Sequence, residues 1–141
     1  MIKELVHDPI FLAGKSETAI KEDLPVADDL LDTLKAHKDT CVGMAANMIG
    51  KRKNIIVFLD ESGITPIYTV MFNPEIIKKD GAYDTEECCL SLLGCPRKCK
   101  RYKTIKVRYQ TAEMQTRIKT YSGFTAQIIQ HEVDHTLGIL I

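Results

Sequence analysis

The sequence predicts an α+β domain whose strands are largely antiparallel. One helical pattern lies near the start of the chain, several strand-like runs occupy the middle, and a second helical pattern lies near the end. Helices that flank a block of strands, instead of alternating with them, are typical of this class. A chain of 141 residues is long enough to bury one hydrophobic core of its own. We therefore expect residues 1–141 to form a single domain.

The first predicted helix spans residues 23–38. Asp23 suits the N-cap and Pro25 suits the first turn, where a missing backbone N–H costs nothing. Its apolar side chains recur at helical spacing: Val26, Leu30, Leu31 and Leu34. This stripe predicts one helix face packed against the core.

Four runs in the middle of the chain have the composition of β-strands. They cover residues 54–59, 67–72, 104–109 and 115–121. The run 104–109 alternates between apolar and polar residues, which predicts a strand with one buried face. The run 67–72 is followed by Asn73-Pro74, a turn signal that predicts its end. Residues 139–141 are a further short candidate strand.

The second predicted helix runs from Phe124 to Gly138, a glycine suited to a C-cap, and it contains an H-E-x-x-H motif. His131 and His135 are four residues apart, so both imidazoles lie on one helix face and can hold one metal ion. Glu132 lies beside His131, where its carboxylate can take a proton from an activated water. The motif therefore predicts a catalytic metal site.

A catalytic metal usually has three protein ligands and an open position for water. None of the six residues after His135 offers a usual ligand, so we expect the third ligand upstream. Cysteines are the natural candidates: Cys41, Cys88, Cys89, Cys95 and Cys99. Adjacent strand residues point to opposite faces, so only one of Cys88 and Cys89 can meet the helix. A structural metal site that uses Cys88, Cys95 and Cys99 is the alternative.

The composition of the chain argues against binding to nucleic acid or insertion into a membrane. The 19 basic and 19 acidic side chains cancel, so we expect no direct nucleic acid binding. No apolar run approaches the ~20 residues of a membrane span, and the first residues lack the apolar stretch of a secretory signal. An odd number of cysteines without an export signal favours reduced thiols in the cytoplasm.

Three motifs, in order along the chain, resemble those of peptide deformylases. Residues 41–50 resemble the G-x-G-L-A-A-x-Q-I-G motif, residues 87–91 the E-G-C-L-S motif, and residues 130–135 the Q-H-E-x-D-H motif. The resemblance implies antiparallel sheets packed around a central C-terminal helix that carries H-E-x-x-H. It also implies hydrolysis of the N-formyl group from the N-terminal methionine of nascent polypeptides, with release of formate.

The resemblance further implies site residues. The metal ligands are Cys89, His131 and His135, and the metal is Fe(II), with zinc, nickel or cobalt as substitutes. Glu132 is the acid–base group, and the backbone N–H of Leu90 faces the oxyanion. The implied substrate-binding residues are Val42, Gly43, Phe124, Gln127 and Ile128. The partners are N-formyl-Met peptides or nascent chains in the cytoplasm. Contact with the ribosome stays open, because some members dock there through a further C-terminal segment.

Several positions depart from the family pattern. Met48 stands where a glutamine usually helps to hold the oxyanion, and a thioether has no hydrogen to donate. We expect Asn47 to point to the opposite face of an extended segment, whereas Gln127 is left open as a replacement donor. Cys41 and Cys88 stand where the motifs have glycine. A weak deformylase follows from these departures; a non-catalytic protein that binds metal or peptide is the alternative. A polar Gln127 in an otherwise apolar pocket also predicts altered side-chain preference.

Overall fold

The computed structural model describes residues 1–89 and 96–140 of the chain. The helices are α1 (Pro9–Leu12), α2 (Leu24–Ala36) and α3 (Gly123–Thr136). The strands are β1 (Gly43–Ala45), β2 (Ile55–Asp60), β3 (Ile67–Glu87), β4 (Arg97–Gln110) and β5 (Thr116–Ser122). Short 3-10 turns cover Lys21–Asp23 and Ala46–Ile49. No helix of the described ranges is long and apolar enough to cross a membrane.

The strands form one five-stranded sheet in the order β1-β2-β3-β4-β5, and every neighbouring pair is antiparallel. The helix α3 packs on this sheet and contacts all five strands. The predicted α+β class, with a C-terminal helix that carries H-E-x-x-H, is therefore confirmed. The strands described here belong to one sheet, where the family resemblance implied several.

The sheet is covered on both faces, and β2 lies at the centre of the two layers. Ile55 and Val57 belong to the core cluster built with α2, whereas Ile56 and Phe58 belong to the cluster built with α3. All four side chains have no solvent exposure. A strand buried on both faces is a continuous apolar run without alternation, which is why 54–59 shows no period of two.

The strand β3 continues far beyond the predicted end at Asn73-Pro74. The ladder with β4 shifts register around these two residues and then resumes as far as Glu87. Asn73 has a left-handed backbone, with φ of 53°. Its side chain accepts from the Ala19 backbone N–H at 2.8 Å and donates to the Ala19 carbonyl at 2.9 Å. The dipeptide is thus a bulge that is tied to a distant segment, and the prediction of a strand end was wrong.

The helix α3 begins and ends close to its predicted bounds, and Gly138 follows it with φ of 79°. This is the left-handed conformation expected of a glycine just beyond a helix. Residues 139–140 have no strand pairing, so the prediction of a short strand there was wrong; residue 141 lies outside the described residues.

We expect Gly138→Ala to lower the free energy of unfolding by about 1–3 kcal/mol. An alanine Cβ would overlap the carbonyl oxygen of Ala13 and lie 2.8 Å from its carbonyl carbon, in addition to the strain of a positive φ. Urea denaturation measures the change. Gly63→Ala is the matched control, since a Cβ there meets nothing within 4 Å and should cost little. Equal stability of the two variants would contradict the packing argument.

Candidate metal centre

The helix α3 places two imidazoles beside a thiol that follows the end of β3. The rings of His131 and His135 have centroids 4.4 Å apart. One ligand atom from each of Cys89, His131 and His135 can be chosen so that all three lie within 4.8 Å of one another. One thiol and two imidazoles suit Fe(II), Zn, Ni and Co, and three ligands leave an open position. The donor set therefore fits a catalytic metal ion.

Each imidazole is oriented by a carboxylate. The Nδ1 atom of His131 lies 2.7 Å from Glu87 Oε1, and Nδ1 of His135 lies 2.9 Å from Glu132 Oε1. A carboxylate that accepts from Nδ1–H fixes the ring and leaves Nε2 available as a ligand. Both histidines are buried, so solvent does not compete strongly for these two Nδ1 contacts.

The thiol and the two imidazoles have shifted pKa values that favour replacement of their protons by a metal cation. Burial opposes ionisation, yet hydrogen bonds with His131 and His135 lower the pKa of Cys89 to about 7. Burial likewise opposes the charged form of His131, while hydrogen bonds with Cys89 and Glu87 raise its pKa to about 9. The thiolate and the two imidazolium protons thus stabilise one another. A metal ion that replaces those protons meets a ligand set already arranged for it.

Glu87 is the centre of a buried hydrogen-bond network behind the histidines. Arg101 donates to both of its carboxylate oxygens through Nε and Nη2, at 2.7–3.1 Å. Gln127 donates to Glu87 Oε2 at 2.8 Å. Burial works against ionisation, but hydrogen bonds from His131, Arg101 and Gln127 hold the pKa of Glu87 well below its usual range. Arg101 also donates to Asp134 at 2.6 Å, so the arginine joins a second carboxylate to the network.

The sequence did not assign a role to Glu87 or Arg101. Two signals pointed to Glu87: it is the first residue of the motif at 87–91, and it lies two residues before Cys89, where residues of an extended segment share a face. The polar residues next to the histidines have separate functions. Asp134 contacts Arg101, whereas Gln130 pairs with the backbone N–H and carbonyl of Tyr102 and so fixes α3 to β4.

A cavity of about 380 Å³ opens beside the cluster. It is lined by Cys89, His131 and Glu132, and by all five residues that the resemblance implies for substrate binding: Val42, Gly43, Phe124, Gln127 and Ile128. Phe124 is exposed at the surface, whereas Ile128 is buried. The cavity wall is therefore largely apolar, and Cys89, His131 and Glu132 contribute polar groups to it.

Gly43 gives the Glu132 side chain its space. A Cβ at this position would lie 2.7 Å from Ile128 Cγ2 and 3.0 Å from Glu132 Oε2. Since His135 holds Oε1, the second oxygen of Glu132 is the one that faces β1 and the cavity. A glycine at the start of β1 thus permits a buried carboxylate to stand against the strand without a clash.

Met48 lies in a 3-10 turn and is 1% exposed. Its side chain lines the cavity, together with Cys89. Asn47 lies in the same turn, so the expectation of an extended segment was wrong. Its Nδ2 donates to the His135 carbonyl at 2.9 Å, which directs this amide to the end of α3. Gln127 Nε2 is directed to Glu87, so neither neighbouring amide stands where Met48 does.

The other cysteines differ in state. Cys41 is half-buried and donates to the Gly43 carbonyl at 2.9 Å, and burial raises the pKa of its thiol to about 12. Burial raises the pKa of Cys99 to about 11. Cys88 is exposed and disulfide-bonded, so the expectation of reduced thiols was wrong for this residue, and it is no metal ligand in this state. Leu90 and Cys95 lie outside the described residues.

Comparison with known sequences and structures gives one consistent answer. Residues 6–141 match the family model described as "Polypeptide deformylase". A peptide deformylase of Clostridium beijerinckii is 53% identical over 141 residues, which cover the full length of both chains. A peptide deformylase of Dictyoglomus thermophilum is 37% identical over all of this chain and 91% of its own.

Solved structures agree with the sequence relatives. A class I type b peptide deformylase of Acinetobacter baumannii with bound Met-Ala-Ser has a TM-score of 0.87 and 25% identity, over 99% of this chain and 96% of that one. The peptide deformylase of Thermotoga maritima has a TM-score of 0.84 and 28% identity, over 99% and 95% of the two chains.

Proposed function

The chain belongs to the polypeptide deformylase family, metal-dependent hydrolases that remove the N-formyl group from nascent chains, and we propose that Cys89, His131 and His135 are its metal ligands. The observation that carries this proposal is the convergence of the three ligand atoms within 4.8 Å at the wall of a cavity. Fe(II) is the proposed native metal, and Zn, Ni or Co can occupy the same donor set.

The metal supplies Lewis-acid chemistry when bound: it lowers the pKa of water and polarises a carbonyl oxygen. Glu132 is the proposed acid–base residue. Its Oε1 is held by His135 Nδ1, so the free Oε2 takes the proton of the attacking water and later delivers it to the leaving amine nitrogen. Glu87 accepts from Nδ1 of His131 and so orients this ring, as Glu132 orients the ring of His135.

The proposed substrate is a peptide that begins with N-formyl-Met. The Met-Ala-Ser bound by the Acinetobacter baumannii relative is a short peptide with methionine first, which supports this substrate class. Phe124 and Ile128 provide apolar surface for the methionine side chain, and Val42 and Gly43 line the cavity at β1. A role of the Leu90 backbone N–H at the oxyanion remains a prediction from the family motif. We place the reaction in the cytoplasm, where nascent chains are made.

One specific observation favours the alternative of a non-catalytic metal-binding or peptide-binding protein. Met48 lines the cavity where the family has a glutamine, and its thioether cannot donate to an oxyanion. The retained Glu132 favours catalysis, because a site that only binds does not need an acid–base group. Assay of anaerobically loaded Fe(II) protein for formate release from formyl-Met-Ala-Ser distinguishes the two. Release above the metal-free protein supports the enzyme; full metal content without formate supports the alternative.

The ligand set is tested by metal content after gel filtration. We expect Cys89→Ser to weaken metal binding at least about tenfold. Loss of a residue that only hydrogen-bonds a metal ligand typically costs this much, and Cys89 is proposed as a ligand itself. Cys88→Ser is the matched control, with every protein kept reduced so that loss of the Cys88 disulfide does not distinguish them. The Cys88 sulfur is exposed and not part of the cluster, so this variant should retain one metal ion per chain. Metal loss confined to Cys88→Ser would contradict the assignment.

A further inference from the structure

Gln127 lies one turn before His131 on α3, and both side chains bond the same carboxylate. Gln127 Nε2 donates to Glu87 Oε2 at 2.8 Å, while His131 Nδ1 lies 2.7 Å from Oε1. We propose that Gln127 is a positioning residue for the metal centre, which acts on His131 through Glu87. This inference rests on the proposed function, because it needs the cluster to bind a metal ion.

The contribution of Gln127 differs from that of Arg101. Arg101 donates through Nε to both oxygens of Glu87, at 3.1 Å to Oε1 and 3.0 Å to Oε2, and through Nη2 to Oε1 at 2.7 Å, so its shortest contact is with the oxygen that also faces His131. Gln127 donates to Oε2 alone, the oxygen that Arg101 Nη2 and His131 do not contact. Gln127 and Arg101 therefore hold the carboxylate from its two oxygens, and the carboxylate fixes the rotation of the ring that offers its other nitrogen to the metal.

Tyr83 bonds the other end of the Gln127 amide. Its hydroxyl donates to Gln127 Oε1 at 3.4 Å, and it stands on β3 four residues before Glu87. An ionised carboxylate only accepts hydrogen bonds, so the amide nitrogen must face Glu87 and the amide oxygen must face Tyr83. The order Tyr83, Gln127, Glu87, His131 is thus a chain in which every donor has its acceptor.

This arrangement changes the expectation drawn from the sequence. A free amide at position 127 would meet the first side chain of the substrate and alter selectivity. Both ends of the amide are engaged within the protein, so its polar atoms have partners other than a substrate side chain. Gln127 is accordingly expected to influence metal retention more than substrate choice.

The test measures Co(II) dissociation into excess chelator, followed by the visible spectrum of the thiolate-bound ion. We expect Gln127→Leu to lose Co(II) about 3- to 10-fold faster than the wild type. Removal of a residue that bonds a metal ligand directly typically costs about 10- to 100-fold in metal affinity, and Gln127 acts one residue further away. Tyr83→Phe should show a smaller effect in the same direction. The double variant should be no worse than Gln127→Leu alone, because the two residues act in one chain.

Two further variants control for loss of a hydroxyl elsewhere and for misfolding of Gln127→Leu. Tyr68→Phe removes a hydroxyl from the same strand at the end far from the site and should leave dissociation unchanged. If Gln127→Leu does not fold, Gln127→Glu removes the donor at equal volume and should lose Co(II) at least as fast. Circular dichroism of each metal-free protein checks the fold.

The outcomes separate the two proposals. Failure of the wild type to bind one metal ion would overturn the proposed function, and this inference with it. Normal metal binding by the wild type, with unchanged dissociation from both Gln127 variants, would overturn the inference alone. A change in selectivity between formyl-Met and formyl-Ser peptides with unchanged dissociation would likewise overturn it, because Gln127 would then act on the substrate directly.

Discussion

Replacement of Glu132 by glutamine is expected to lower kcat by about 10²–10⁴-fold, because a positioned acid–base group contributes that much to a proton-transfer step. The amide oxygen can still accept from His135 Nδ1, so the ring orientation is kept. The NH₂ group that replaces the second carboxylate oxygen cannot take a proton from water. Steady-state kinetics of formate release, with both proteins matched for metal content, measure the effect.

Glu75→Gln is the matched control for this experiment. Glu75 is an exposed carboxylate on β3 that pairs with Arg108, outside the cavity. The same chemical change there should leave kcat within experimental error. A fully metal-loaded Glu132→Gln protein with unreduced kcat would show that another group moves the proton.

Substitution of Met48 by glutamine is expected to raise kcat by up to about 10²–10³-fold, the amount typically lost with one oxyanion donor. Met48 is fully buried at the cavity wall beside Cys89, where an amide of similar length can aim at the developing charge. The neighbouring amides cannot compensate, since Asn47 donates to the His135 carbonyl and Gln127 to Glu87. Kinetics at matched metal content test the gain.

Met48→Leu controls for packing in the Met48 experiment. It keeps an apolar side chain of similar volume and adds no donor, so its rate should match that of the wild type. If Met48→Gln were equal to or slower than Met48→Leu, either another donor already serves the oxyanion or deformylation is not the reaction of this protein.

The sequence could predict the parts of the site that are local in the chain. His131 and His135 are related by one helical turn, so their common face follows from spacing alone. The motif register pointed to Cys89 in preference to Cys88, and the structure brings Cys89 into reach of both imidazoles. Their role as metal ligands is still a prediction, which the metal-content experiment addresses.

The parts that could not be predicted depend on contacts between distant segments. Glu87 bonds Arg101, Gln127 and His131, which lie 14, 40 and 44 residues away. The turn signal at Asn73-Pro74 failed for the same reason, since the Asn73 side chain pairs with Ala19, 54 residues earlier. Local propensity describes what a segment prefers by itself, and here long-range hydrogen bonds supply what the local ladder loses.

The double-sided burial of β2 has a consequence for how variants of this protein should be judged. The two core layers share one strand, so neither can come apart while the other stays folded, and unfolding should be cooperative. Changes at Leu30 or Leu34 on α2 would reduce cellular activity through the fraction of folded molecules, although neither residue lines the cavity. Because the layers are coupled, stabilising substitutions in the α2 layer can offset the loss in free energy of unfolding that substitutions in the cavity cause.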